Sequence, residues 1–178
     1  MTPIRPATPA DVPQLHELIR ELANFERAPD AVVSTPDDLH SALFGGDHTP
    51  HGSPAAYAFV VDNPDDAPGL AAMAIYVLNY STWLGKYGIY LEDLYVRPQF
   101  RGRGFGRALL ATLAREAVDR GYGRVEWSVL DWNTPAWDFY RTQGAEAMTE
   151  WTVHRVSGAA LTALAQPATD TTSIASGR

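Results

Sequence analysis

A strand-like run, IYLEDLYV (Ile89–Val96), passes directly into VRPQFRGRGFGRALL (Val96–Leu110), which places four arginines and three glycines ahead of a helical apolar repeat. This order of segments constrains the fold more than any other feature of the chain. A strand that ends in a glycine-rich turn and opens a helix leaves the first-turn N–H groups of that helix unpaired, at the point where the helix dipole is positive. Anions bind at such a place. Gly102, Gly104 and Gly106 let the backbone approach an anion closely, while Arg101, Arg103 and Arg107 supply charge around it. A pyrophosphate suits these donors. The dinucleotide fingerprint is excluded, because Arg107 stands where its third glycine belongs, and no Gly-Lys-Ser/Thr follows to make a nucleotide-triphosphate loop. Composition alone leaves a flexible turn with solvated arginines as the alternative.

The segments on either side read as α+β. Residues 4 to 6 form a short first strand, and Thr8 or Asp11 caps a helix whose Val12, Leu15, Leu18, Ile19, Leu22 and Phe25 recur at helical spacing. A second helix opens at Thr35, with Pro36 at its first position and Asp37 and Asp38 at the positive end of its dipole. Residues 45–54 read as loop. A strand ending at Asp62, the turn NPDDAPG and a strand beginning at Gly69 make an antiparallel pair. STWLGKYG then reads as a loop before Ile89. Leu109, Leu110, Leu113, Ala117 and Val118 form one apolar helical face that stops at Gly121. RVEWSVL alternates as a strand from Arg124, Asn133 or Thr134 caps a helix that runs from Pro135 to just before Gly144, and a last strand is expected over Met148–Val156. One domain over 1–165 and a disordered tail over 166–178 follow from this pattern.

With 178 residues, a net charge of −7 and no cysteine, the chain excludes disulfides, a thiol nucleophile and thiolate metal sites, and its acidity argues against general nucleic-acid binding. No apolar run has the length of a membrane span, and residues 1–12 lack the apolar core of a secretory signal. A cytoplasmic location is expected. His48 and His51 in HTPH have no third ligand nearby in sequence, so no metal is expected. The absence of a Gly-x-Ser-x-Gly elbow removes the serine-hydrolase reading.

Arg101-Gly102-Arg103-Gly104-Phe105-Gly106 fits the Arg/Gln-x-x-Gly-x-Gly/Ala pattern of the GNAT acetyltransferases, and the resemblance implies that the loop holds the pyrophosphate of acetyl-coenzyme A. The segments IRPATPADV, LIRELANFE, YSTWLGK, YLEDLYVRPQFRGRGFG, VLDWNTPAWDFYRTQGA and TEW extend it from Ile4 to about Leu164, and resemble the diamine (spermidine/spermine) N-acetyltransferase subfamily. The fold implied is a mixed, mainly antiparallel sheet with flanking helices and a V-shaped cofactor slot. A homodimer is implied as well. Ser81-Thr82 replaces the Asp-Pro that polyamine-specific members carry before the loop tryptophan, and VLDWN is more similar to the thialysine branch. The spacing before Trp151 is also shorter than in the animal members. A lysine-like amine and a polyamine therefore both remain open as acceptors.

Acetylating an amine from a thioester poses two proton problems: an ammonium of pKa ~10.4 must lose a proton before attack, and the departing thiolate must gain one. By resemblance Glu92 is the base and Tyr140 the acid. Glu92 and Asp93 are consecutive in a strand, so their side chains are expected on opposite faces, with Asp93 attracting the cation nearby. The resemblance assigns the cofactor to the backbone of Leu94, Tyr95 and Val96, exposed by a bulge, to the loop from Arg101 to Arg107, and to Asn133, Thr134, Pro135, Ala136 and Gln143. Asn133 reads equally as a helix cap. The acceptor falls to Phe25, Glu26, Trp83, Glu126, Trp127, Ser128, Glu150 and Trp151, beside Glu92 and Asp93. Aromatic faces and carboxylates together suit an alkylammonium. Each of these residues also has a plain structural reading. A protein or peptide amine acetyltransferase and a non-catalytic acyl-coenzyme A sensor are the rival functions, and a sensor would need neither proton transfer.

Overall fold

The structure, a computed structural model, describes residues 4–46, 49, 52–65 and 67–166. His48, His51 and the tail from 167 lie outside the described residues. The chain divides into two compact units, Met1–Trp137 and Asp138–Arg178.

The first unit is built on a sheet in the order β1 (Ile4–Pro6), β2 (Tyr57–Asp62), β3 (Leu70–Ser81), β4 (Lys86–Val96), β5 (Val125–Trp127). The first four strands are antiparallel and β5 runs parallel to β4, giving the mixed α+β architecture expected. Helix α1 (Val12–Phe25) starts where a capping box closes: the Thr8 N–H and hydroxyl both donate to Asp11 Oδ2, at 2.7 and 2.8 Å. Arg5 holds that same carboxylate and Asp62, tying the helix start to β1 and β2. Helix α2 (Pro36–Phe44) repeats the device with Thr35 and Asp38.

Leu15, Leu18 and Leu43 of these helices pack with Val60, Met73, Ile75 and Tyr95 on one face of the sheet. Each such side chain contributes about 1.5–3 kcal/mol of burial. On the other face lies α3 (Phe105–Asp119), with Phe105, Leu109, Leu113 and Ala117 buried. Val118, expected on that apolar face, is 76% exposed, because it lies one step of the helix round from Ala117. Gly121 follows the helix at φ 68°, as a C-terminal glycine should.

Three boundaries differ from the sequence reading. The expected loop before Ile89 contracts to a tight hairpin turn, because Ser81 pairs with Lys86 and Tyr80 with Tyr87. Strand β5 keeps only three of the residues in RVEWSVL. In the second unit, residues 151–157 form no strand; Met148–Trp151 is a turn closed by the Trp151 N–H to the Met148 carbonyl at 3.1 Å. A strand needs a neighbour for its backbone groups, and Val153 and Val156 are exposed instead. A short helix, α5 (Gly158–Leu164), follows in the Ala- and Leu-rich stretch where none was expected.

Candidate active site

The glycine-rich loop has the form its sequence demands. Gly102 and Gly104 hold φ of 75° and 84°, and a Cβ at either would meet no atom within 4 Å, so these glycines serve the backbone path rather than packing. Gly104 is the N-cap of α3, where no side chain caps the helix. The first-turn amides of Phe105, Gly106 and Arg107 are therefore available to an anion.

The three arginines differ. Arg107 is exposed. Arg103 pairs with Asp65 of the β2–β3 turn at 3.0 Å and lies over the Phe100 ring. Arg101 turns back: its Nε donates to the Val96 carbonyl at 3.0 Å, and its guanidinium lies 5.1 Å from the Phe25 centroid and 5.8 Å from that of Tyr95. Phe25 also meets Trp132 at 6.1 Å, and the guanidinium of Arg27, a non-glycine at φ 63°, lies over the Trp132 ring at 4.5 Å. A stack of cations and rings thus joins the end of α1 to the end of β4. Trp132 and Arg27 escaped the sequence reading, since nothing local marks residues more than a hundred positions apart as neighbours.

The register of β4 carries the main correction. Ile75 pairs with Asp93 and Tyr76 with Leu91, which leaves Glu92 as an extra residue in a β-bulge. Directly paired residues share a face. Asp93 therefore shares the α1 face with Ile75, and Leu91 shares the α3 face with Tyr76, which lines a groove with Glu116 and Arg120 of α3. Glu92 lies between these two paired residues and is exposed. The strict alternation that would set Glu92 and Asp93 on opposite faces is interrupted between them, and the charge of Glu92 acts on Asp93. Asp93 is half-buried, and its carboxyl is pushed up to about 6, first by burial, then by the charges of Glu92 and Glu26. Burial also raises Glu26, at the C-terminal end of α1. Three carboxylates converge here with no paired cation among the described residues.

At the same point the β4–β5 ladder stops: its last pair is Leu91 with Trp127. Beyond it Leu94, Tyr95 and Val96 pair with β3 only. Next to the loop, this edge of β4 has no strand partner among the described residues. The end of β4 is pinned to α1 by Arg97, which donates to Glu21 at 3.0 Å, to Glu17 at 2.8 Å and to the Leu70 carbonyl at 3.1 Å.

Glu126 and Ser128 reach the α1 face as neighbours of β4: Tyr90 pairs with Glu126, and the Tyr90 and Ser128 hydroxyls share a hydrogen bond of 2.9 Å. Trp127 is half-buried at the end of the ladder. Asn133 behaves as a cap, its Oδ1 accepting the Ala136 N–H at 3.4 Å, at the head of α4 (Thr134–Thr142), within which the division between the units falls; Thr134 and Pro135 are exposed in its first turn. Trp83 is 86% exposed at the hairpin tip, separated from Glu92 by the strand from Lys86, about 20 Å. The structure does not bring it to the carboxylates. In the second unit Tyr140 is half-buried with its ring 5.1 Å from Phe139, and Gln143 Nε2 donates to the Thr142 hydroxyl at 2.8 Å. Glu150 and Trp151 are exposed in the turn that replaces the expected strand.

Against known proteins, residues 15–145 match the Acetyltransferase (GNAT) family. The chain is 34% identical to an L-ornithine N5-acetyltransferase of Arabidopsis thaliana, over 90% of this chain and 86% of the relative. It is 36% identical to a thialysine N-epsilon-acetyltransferase of Bos taurus, over 91% and 96%. Among solved structures, an integron cassette protein from the mobile metagenome of V. cholerae superposes with a TM-score of 0.74 at 23% identity, covering 93% of this chain and 98% of that one.

Proposed function

The chain belongs to the acetyltransferase (GNAT) family and is an acetyl-CoA-dependent N-acetyltransferase, and from that premise we propose that its acceptor is the primary amine of a small cationic molecule. Ornithine, a thialysine- or lysine-like amino acid, and a diamine or polyamine are the acceptor classes this covers. The observation that carries the reading is that Glu92 and Glu26 both act on the half-buried Asp93, beside the point where the β4–β5 ladder ends. Clustered carboxylates without a cation raise one another's proton affinity, and an ammonium relieves that cost directly.

Acetyl-coenzyme A supplies the acetyl thioester. The uncapped start of α3 and the open loop at Gly102 and Gly104 suit its pyrophosphate, and the side of Leu94, Tyr95 and Val96 without a strand partner, apart from the Val96 carbonyl that Arg101 holds, suits its pantetheine arm. Asn133 through Ala136 and Gln143 contact the same arm. Asp93 and Glu26 hold the acceptor ammonium. Glu92, exposed at the bulge, takes its proton directly or through one water, and the Tyr140 phenol returns a proton to the leaving sulfur. Trp83, Trp127, Glu150 and Trp151 belong to the acceptor side. The working assembly is a cytoplasmic homodimer, for which the exposed Met148, Trp151 and Val153 offer apolar surface; a monomeric mass in solution would overturn it.

Thiol release from acetyl-coenzyme A, measured over ornithine, thialysine, lysine, putrescine, spermidine and a short peptide, tests the proposal. Turnover with free amines is expected. Turnover with the peptide alone would replace the small acceptor by a protein amine.

A further inference from the structure

Along β4 from Asp93, between about 10 Å at Tyr90 and about 17 Å at Gly88, the same sheet face carries a second polar cluster. Arg124, the residue before β5, and Glu126 are two apart on an extended chain and so share a side. Arg124 Nε pairs with Glu126 Oε2 at 2.7 Å, and Asn79 Nδ2 donates to that same oxygen at 2.9 Å. Asn79 stands opposite Gly88, and a Cβ on Gly88 would lie 2.5 Å from Asn79 Oδ1 and 3.2 Å from Arg124 Cγ. The missing side chain at Gly88 is what lets these two side chains lie down across the strand. Asn79 Oδ1 is buried with no donor among the described residues. The amide is thus committed to Glu126 at the expense of its own carbonyl, which fixes the carboxylate in one orientation.

Both bonds use one oxygen of Glu126. Its Oε1 and the terminal nitrogens of Arg124 carry no hydrogen bond to protein among the described residues, and both side chains are partly open, at 37% and 40%. A free guanidinium edge beside a free carboxylate oxygen has the polarity of one ligand group: an α-carboxylate next to an α-ammonium. A diamine would bring a cation to this place and meet the guanidinium with like charge.

We propose that Arg124 and Glu126, held by Asn79, form the subsite for the zwitterionic head of an α-amino acid, whose side-chain amine reaches Glu92 and Asp93. This rests on the small-amine reading above and narrows it: the acceptor is an amino acid with a terminal side-chain amine, and Arg124 sets that preference.

The test compares lysine, lysinamide and cadaverine, which share one side chain and lose the carboxylate and then the whole head group. Wild-type protein should acetylate lysine with a kcat/KM at least about tenfold above both others, the difference lying in KM. Arg124→Gln should remove that advantage while leaving the cadaverine rate level or higher, and Arg124→Lys should retain part of it. Cadaverine used as well as lysine by the wild type, or an equal loss on all three acceptors in Arg124→Gln, would overturn the subsite while the amine acetyltransferase stands. Because the wild-type ranking needs no variant, a misfolded Arg124→Gln does not rescue the idea. Release with none of the three, nor with putrescine or spermidine, would remove the small-amine reading and the subsite with it.

Discussion

Asp93→Asn should stabilise the free protein at neutral pH while impairing it as an enzyme. The Asp93 carboxyl is lifted from 3.8 to about 6 by burial and by the neighbouring charges of Glu92 and Glu26. A folded-state pKa above the unfolded one means the native state binds the proton more tightly, so stability falls as pH rises between about 4 and 6. Two pKa units correspond to about 3 kcal/mol, incurred in full above pH 7, mostly gone by pH 4 and absent only below about pH 3, where both states are protonated. Asn carries no charge to desolvate and escapes the penalty. Urea unfolding at pH 7.5 should therefore show the variant more stable by up to about 3 kcal/mol, with the gain shrinking toward zero near pH 4. A bound ammonium would draw Asp93 back to its ionised form, so a non-reactive alkylamine should raise the Tm of the wild type more than that of the variant. Equal stability at pH 7.5, or a gain that persists undiminished at pH 4, would refute the account of a carboxylate held against its own charge.

Tyr140→Phe should lower turnover by about a hundredfold or more, the scale of a lost general acid, with acetyl-coenzyme A binding unchanged in calorimetry; near-normal turnover would remove Tyr140 from the mechanism. Gly104→Ala forces a Cβ into a left-handed residue at φ 84° with open space around it, so its structural cost is backbone strain of about 1–2 kcal/mol. A weaker cofactor dissociation constant should accompany the lower Tm, and unaltered binding would contradict the assignment of the loop.

Local grammar made much of the fold readable in advance. Helix α1 is marked by apolar periodicity and a cap, α2 by Thr35, Pro36 and the acidic residues of its first turn, and the positive-φ glycines by the sharp turn after β4. What failed depended on partners distant in sequence. Lys86 to Gly88 looks like loop until Tyr80 and Tyr87 are seen to pair, and Met148–Val156 has strand-like residues but no neighbouring strand to complete it. The cluster of Asn79 with Glu126 spans 47 positions, and the unremarkable Gly88 between them is what permits it. Within the site, residue types were legible and orientations were not.

The bulge at Glu92 shows why orientation escapes a reading by alternation. The family resemblance implies a bulge in this strand, but no residue of IYLEDLYV marks its place, since the count of residues opposite is fixed by β3, some fifteen positions earlier. Without the bulge, a strict period of two would send Glu92 toward α3 and leave Glu26 as the neighbouring carboxylate that raises the proton affinity of Asp93. The same irregularity falls where the β4–β5 ladder ends, because a bulged strand bends and twists away from its regular course. One supernumerary residue therefore stands behind both halves of the proposed site: the carboxylates proposed to attract the amine, and the unpaired strand edge proposed to admit the thioester beside them.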